Sequence, residues 1–167
     1  MKELVHTPDG DFIQDGGGIY VKCSDVKIAS GMNNWMTRLW FIRRYPEKKV
    51  IISTYSLPKL EKRVERLIAL RDEGQGIFLL CNSKFVWKAE KLKNMFPKLT
   101  VFLRQDVHAK IVLVEPDTVW EGSSNFGYSG WFENSIRLKS RTAFNYEYQR
   151  ILRYLDIPEF SPKYSDL

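Results

Sequence analysis

Between residues 45 and 105, short apolar runs rich in β-branched residues alternate with amphipathic segments, and this alternation restricts the fold most. KVIISTYSL and IFLLCN are compact enough to be buried strands, and LTVFLRQ follows as a third. The intervening segments repeat apolar residues at helical spacing and end at GQG or at Pro97. Strands that alternate with helices form a sheet covered on both faces. We therefore predict an α/β fold with a mixed, largely parallel sheet and helices on both faces.

The predicted helices are defined by their apolar stripes. The first follows Asn34, a residue type that caps helix N-termini, and carries Trp35 and Trp40. The stripes of the next two comprise Leu60, Val64, Leu67 and Ile68, and then Phe85, Ala89, Leu92 and Phe96, in a helix that starts near Ser83. Because Trp35, Trp40 and Trp87 fall on helical stripes, we expect them in the core. Ahead of them, GIYVKCSDVKIAS is typical of one or two short strands.

After Gln105 the pattern changes to that of antiparallel strands. HAKIVLVE, a turn at Pro116 and Asp117, and TVWEGSS together predict a β-hairpin. A short helical piece is expected over FGYSGW, and residues 135–140 alternate as a half-buried strand does. The closing helix is predicted from Phe144, Tyr148, Ile151, Leu152 and Leu155.

Composition limits the class of protein. With 167 residues, 44% of them hydrophobic, we expect a single domain over 1–167 that includes the first 45 residues and ends in a tail at 158–167. The net charge of +6 favours anionic partners, with nucleic acid first among them. No apolar run approaches the roughly 18 residues of a membrane span, and MKELVHTPDG has no signal-peptide core, so a cytoplasmic protein without membrane contact is expected. Cys23 and Cys81 form no CxxC pattern, so neither a zinc knuckle nor a disulfide framework is indicated, and two reduced, packed thiols are expected. We expect no metal and no cofactor.

The hairpin carries the residues with the most evident chemistry. Side chains two apart on a strand share a face, so His108 and Lys110 should point together, as should Ser123 and Asn125 if the second strand stays extended. An imidazole can attack phosphorus, an ammonium neutralises phosphate oxygens, and hydroxyl and amide groups donate directional hydrogen bonds. This set of side chains suits a phosphodiester site that needs no metal.

The spacing H-x-K, four residues, an acidic residue, six residues, then G-S-x-N resembles the HKD signature of the phospholipase D superfamily. The matching residues are His108, Lys110, Glu115, Gly122, Ser123 and Asn125. The order of elements is also similar to that family over residues 45–155. The resemblance implies ping-pong phosphoryl transfer, in which one motif histidine forms a phosphohistidine and a second protonates the leaving alcohol and then activates water. It implies catalytic roles for His108, Lys110, Ser123 and Asn125, and a structural role for Glu115.

Two motifs are needed for that chemistry, and this chain has one. The only other histidine, His6, is followed by Thr-Pro and has no lysine two residues later. The resemblance is therefore to the small single-motif nucleases of the superfamily, which build one active site across a homodimer. We expect cleavage of DNA or RNA by such a dimer.

Two positions depart from the family pattern: Glu115 stands where an aspartate is usual, and the more serious departure concerns an orienting glutamate. The family often places an orienting glutamate eleven residues after the motif asparagine, in an N-x-E pattern, and here Asn134 is followed by Ser135 and Ile136. Another group would have to hold the imidazole of His108, and the nearby carboxylates are Glu133 and Glu121. A slow enzyme, or a protein that only binds, is consistent with this loss.

Binding residues and rival functions follow from the same segment. Nucleic-acid contacts are expected from Arg104, Lys139 and Arg141, with Trp120, Tyr128 or Trp131 available for base stacking. Phospholipid is the first rival substrate, because Trp131 and Phe132 would suit an apolar loop at the mouth of the site. The second rival is a non-catalytic nucleic-acid-binding or regulatory module on the same scaffold.

Overall fold

A computed structural model describes residues 21–33, 47–57, 62–69, 71, 74–127 and 129–155. The strands in these residues are β1 (Val26–Asn33), β2 (Val50–Thr54), β3 (Ile77–Asn82), β4 (Thr100–Arg104), β5 (Ile111–Val114), β6 (Thr118–Gly122) and β7 (Ser129–Lys139). The helices are α1 (Lys62–Ala69), α2 (Val86–Met95), which a 3-10 turn at Ser83–Phe85 precedes, and α3 (Arg141–Leu155). The helix predicted after Asn34 and the tail predicted from 158 lie outside the described residues.

The seven strands form one mixed sheet in the order β1-β7-β6-β5-β2-β3-β4. The prediction of a mixed α/β sheet is confirmed, but "largely parallel" is wrong, because four of the six strand pairings are antiparallel. Only β2, β3 and β4 run parallel, each joined to the next through a helix. The other strands pair antiparallel. Short connections join β5 to β6 and β6 to β7, which permits antiparallel pairing, and β1 pairs with β7 from a distant part of the chain.

Helices cover both faces, as predicted. On one face Ile68 of α1 and Ala89 and Leu92 of α2 pack with alternate residues of the central strands, including Ile52 and Leu79. On the other face α3 packs against the residues of opposite parity: Ile51, Leu80, Leu113 and Val119 contact Ala143, Phe144, Tyr148, Ile151 and Leu155. The predicted stripe of the closing helix is therefore its buried side.

Two local predictions are wrong. The segment FGYSGW is not helical from Ser129 onward, because β7 begins there and pairs with β1. Trp87 is 62% exposed and not a core residue. It stands two positions before buried Ala89, which is about 200° around a helix, so it faces away from the sheet.

The two cysteines are both free, with Cys81 buried and Cys23 half-buried beside the Lys139 carbonyl. Within the described residues, no helix has the length and apolar character needed to span a bilayer.

Candidate active site

The motif residues meet at one edge of the sheet. The parallel strands β2 and β3 end there, residues 105–110 enter β5 from there, and β6 ends there at Gly122. His108 and Lys110 lie just before β5, and Ser123 and Asn125 lie just after β6, so none of the four is inside a strand. Antiparallel pairing of β5 with β6 is what brings these two ends together.

His108 and Lys110 point to the same side, as the alternation predicts. The Lys110 ammonium donates to the His108 carbonyl oxygen at 2.8 Å and lies 3.2 Å from Nδ1 of the imidazole. Because an ammonium can only donate, this contact requires an unprotonated Nδ1 and leaves the proton of a neutral ring on Nε2. Partial burial lowers the pKa of Lys110, and the nearby Glu133 carboxylate opposes that shift.

Asn125 is fixed by the end of β2. Its Oδ1 accepts from the Ser56 backbone amide at 3.1 Å and lies 3.3 Å from the Thr54 hydroxyl. Thr54 is completely buried and its oxygen also accepts from the Phe126 amide at 2.9 Å. With Oδ1 held by donors, the amide nitrogen of Asn125 is the group that can donate to a ligand.

Ser123 is held by β7. The Ser123 hydroxyl donates to Glu133 and accepts from the Asn134 amide at 3.0 Å. The Ser123 amide in turn donates to the Asn134 carbonyl at 3.2 Å. The structure therefore joins the two residues Glu133 and Asn134 to the motif serine, while the side chain of Ser123 stays exposed to solvent.

The loop that presents His108 is anchored by two buried polar side chains that sequence reasoning missed. Asn82, at the end of β3, donates to the carbonyls of Gln105 and Val107 at 2.6 and 3.3 Å. Ser53 of β2 donates to the Ala109 carbonyl at 3.2 Å. Both are at most 3% exposed. The available signal was a polar residue at the end of each apolar run, in IIST and in FLLCN.

Tyr55 is a third site residue that was missed. Its ring lies 4.9 Å from the imidazole of His108, tilted by 44°, and the Lys110 ammonium lies 5.8 Å from its centre. On its other side the Tyr55 ring meets Phe85 edge to face at 5.6 Å. The tyrosine thus fixes one side of His108 and connects it to the packed residues at the start of α2.

A cleft of about 460 Å³ opens beside His108 toward α3. Asp106 and His108 line one side of it, and Glu147, Arg150 and Tyr154 line the other. Burial raises the pKa of Glu147, and the negative charge of Glu121 raises it further, while Arg150 opposes both.

Glu121 lies in the same cleft and pairs across strands with Ile136, the position of the missing glutamate. Cross-strand partners share a face, so Glu121 occupies the side of the sheet from which Ile136 projects. Burial raises the pKa of the Glu121 carboxyl group. The positive charge of Arg150 opposes this shift. Of the two predicted orienting carboxylates, Glu121 therefore shares a cleft with His108, and Glu133 contacts Ser123.

Of the remaining predicted residues, Glu115, Lys139 and Arg141 lie away from the motif. Glu115, at the far end of β5, accepts from the Lys49 amide at 3.0 Å, as a structural residue would. Lys139 pairs with Thr118 at the end of β6 opposite Ser123, and Arg141 follows it at the start of α3. Arg104 donates to the Leu155 carbonyl, at the end of α3. Lys139 and Arg141 are not brought to the motif, because β7 runs away from it after Ser135. Arg104 ends β4 beside Asn82, at the same edge of the sheet as the motif, but its guanidinium is engaged by a helix terminus.

Three aromatic residues were predicted to stack with bases. Trp131 is 80% exposed, in the strand that carries Glu133. Trp120 is half-buried and packs against the core on the α1 and α2 face. Tyr128 is outside the part of the chain that the structure describes. No group of three or more His, Cys, Asp or Glu side chains among the described residues is arranged to hold a metal ion.

Family comparisons agree with this arrangement. The family described as "Cardiolipin synthase, PLD-like domain" matches residues 44–155, which is more than half of the 167 residues. The chain belongs to this phospholipase D-like family. The resemblance predicted from the H-x-K and G-S-x-N residues is thereby confirmed. Among curated proteins, none matches the sequence.

Solved structures share the phospholipase D-like fold at low identity. A polyphosphate kinase from Porphyromonas gingivalis is 11% identical with a TM-score of 0.60, over 83% of this chain and 27% of its own. The phospholipase D family member Nuc from Salmonella typhimurium is 14% identical with a TM-score of 0.55, over 78% of this chain and 94% of its own. The archaeal chromatin protein TrmBL2, which has a novel mode of DNA binding, is 11% identical with a TM-score of 0.57, over 78% of this chain and 52% of its own. The chain thus spans nearly all of Nuc, about half of TrmBL2 and about a quarter of the kinase, and these likenesses concern the fold alone.

Proposed function

We propose that this phospholipase D-like protein is a metal-independent phosphodiesterase that cleaves DNA or RNA. The observation that carries the proposal is the convergence of His108, Lys110, Ser123 and Asn125 at one sheet edge, with a potential nucleophile and three donors for phosphate oxygens. The net charge of +6 favours a polyanionic substrate. The DNA binding of TrmBL2, whose fold is similar, also supports a nucleic-acid partner.

The proposed reaction has two displacement steps. Nε2 of one His108 attacks phosphorus, the bond from phosphorus to the leaving oxygen breaks, and a second histidine gives its proton to that oxygen. Water then attacks the phosphohistidine, losing a proton to the second histidine, and the phosphorus–nitrogen bond breaks. Lys110, Ser123 and Asn125 would hold the non-bridging oxygens in both steps.

We propose that the second histidine is His108 of another copy, so that one active site is shared across a homodimer. The sequence contains one other histidine, His6, which lies outside the described residues and lacks the motif lysine. His108 is exposed at the sheet edge, as a residue shared with a second copy must be in a single chain. A two-fold axis through this edge would bring two imidazoles to one phosphate.

The test is cleavage of labelled single- and double-stranded DNA and RNA in excess EDTA. We expect at least one polymer to be cut at a rate that EDTA does not reduce, because the proposed nucleophile and acid are both imidazoles. The preferred polymer identifies the substrate class. Absence of cleavage for all four polymers contradicts the nuclease proposal.

Phospholipid is the second candidate substrate, and one surface feature favours it. Trp131 and Phe132 are 80% and 83% exposed and immediately precede Glu133, which contacts Ser123. Exposed adjacent aromatic side chains beside a site suit the interface of a membrane. The matching family is itself described as cardiolipin synthase.

The double variant Trp131→Ala with Phe132→Ala separates the two substrates. If lipid is the substrate, we expect hydrolysis of anionic phospholipid vesicles to fall about tenfold or more, since the anchoring apolar area is lost. Hydrolysis of a short-chain soluble phosphodiester should be unchanged. If wild-type protein does not hydrolyse vesicles, the lipid candidate is excluded.

A further inference from the structure

We propose that the Glu133 carboxylate occupies the anion-binding position of the motif site and that substrate phosphate must displace it. The inference rests on the proposed function and adds a self-occluding residue to it. Glu133 matches no position of the HKD signature, and its role follows from its contacts in this chain.

Glu133 is engaged by the groups proposed to bind phosphate. The Ser123 hydroxyl donates to its Oε2. Its charge also acts on Lys110, whose ammonium it stabilises against partial burial. The hydroxyl that donates to this carboxylate, and the ammonium that its charge stabilises, are the same donors that a phosphate would need for its oxygens. The carboxylate therefore accepts from a donor that the proposed function assigns to phosphate.

The backbone of β7 holds Glu133 in this position. Its neighbour Asn134 exchanges two hydrogen bonds with Ser123, one to the hydroxyl and one from the amide. On the other side, Glu133 pairs with Gly31 of β1. Because these hydrogen bonds to Ser123 fix the main chain of β7, only the side chain of Glu133 has to move for Ser123 and Lys110 to become available to phosphate.

The contacts of Lys110 are consistent with a Glu133 carboxylate that occupies the anion-binding position. In this arrangement Lys110 donates to the His108 carbonyl and lies beside Nδ1, which places the ring proton on Nε2. An imidazole with a proton on Nε2 cannot attack phosphorus through that atom. Phosphate that displaced Glu133 would also draw Lys110 from Nδ1, so occupancy of the anion position and the reactive tautomer of His108 change together.

Phosphate binding tests this inference without relying on cleavage. The chain has two histidines, so inorganic phosphate can be titrated while the imidazole ¹⁵N signals of His108 are followed and assigned with His6→Ala. We expect Glu133→Gln, which keeps an acceptor for Ser123 but removes the charge, to bind phosphate on the order of tenfold more tightly. Glu90→Gln, on the exposed side of α2, makes the same change in net charge and should leave the affinity at the wild-type value.

The outcomes separate this inference from the proposed function. Phosphate affinity in Glu133→Gln equal to or weaker than wild type, with Glu133→Ala in agreement, would mean that the carboxylate only positions Ser123, and the inference would be overturned. A gain in affinity without cleavage of any polymer would support the occluding carboxylate and contradict the nuclease. If the protein is a nuclease, Glu133→Gln should also lower KM with little change in kcat, a change that a merely structural role would not produce.

Discussion

His108→Ala is expected to reduce EDTA-resistant cleavage by at least about a thousandfold, because the variant loses both the proposed nucleophile and the proposed acid. Asn82 and Ser53 hold the loop through its backbone carbonyls, independently of the imidazole, so the fold should persist. The measurement is the initial cleavage rate on the preferred polymer. His6→Ala is the matched control and should retain the wild-type rate, since His6 has no motif lysine. Equal cleavage by His108→Ala and wild type would exclude the phosphohistidine mechanism.

The same variant tests whether the site is shared. When wild type and His108→Ala are mixed in equal amounts and allowed to exchange subunits, independent sites give about one half of the wild-type rate. A site that needs His108 from both copies gives about one quarter, because only that fraction of dimers carries two histidines. A value of one half would contradict the shared site while leaving the nuclease intact. If neither protein cleaves and both bind nucleic acid equally, a binding module is the better description.

The elements that the sequence predicted correctly are those fixed by local pattern. The runs over β2, β3 and β4 are apolar and bounded by glycine or proline, so their strands follow from neighbouring residues alone. The buried stripe of α3 follows from spacing in the same way. In the motif, His108 and Lys110 are two residues apart, which made their common orientation predictable.

The features that the sequence did not reveal depend on partners far away in the chain. β7 takes its conformation from pairing with β1 and β6, and the helical spacing of FGYSGW contains no information about those partners. Lys139 and Ser135 are close in sequence, yet only the register of β6 with β7 shows that Lys139 lies away from the motif. The fixed orientation of Asn125 depends on Thr54 and Ser56, which are about 70 residues earlier. The spacing of residues in the sequence does not predict such long-range contacts.

Phe126→Ala is expected to lower the free energy of unfolding by about 3–5 kcal/mol, the range for truncating a fully buried aromatic residue. Phe126 is 2% exposed and belongs to the core cluster on the α1 and α2 face. Its backbone amide donates to buried Thr54, the residue that also contacts Asn125. The side chain thus anchors the chain immediately after the motif asparagine. Urea unfolding of the full chain, followed by tryptophan fluorescence, measures the loss.

Phe132→Ala is the matched control for this stability prediction. The same atoms are removed from a side chain that is 83% exposed, so the free energy of unfolding should change by no more than about 0.5 kcal/mol. A loss below about 1 kcal/mol in Phe126→Ala would show that the segment after Asn125 does not need its core anchor. If the free energy of unfolding falls by the expected amount, cleavage by Phe126→Ala is measured at low temperature, where the variant is still folded. This measurement reports whether the Phe126 side chain also positions Asn125. We expect a lower kcat there, because Asn125 would lose the packing that fixes its backbone next to Thr54.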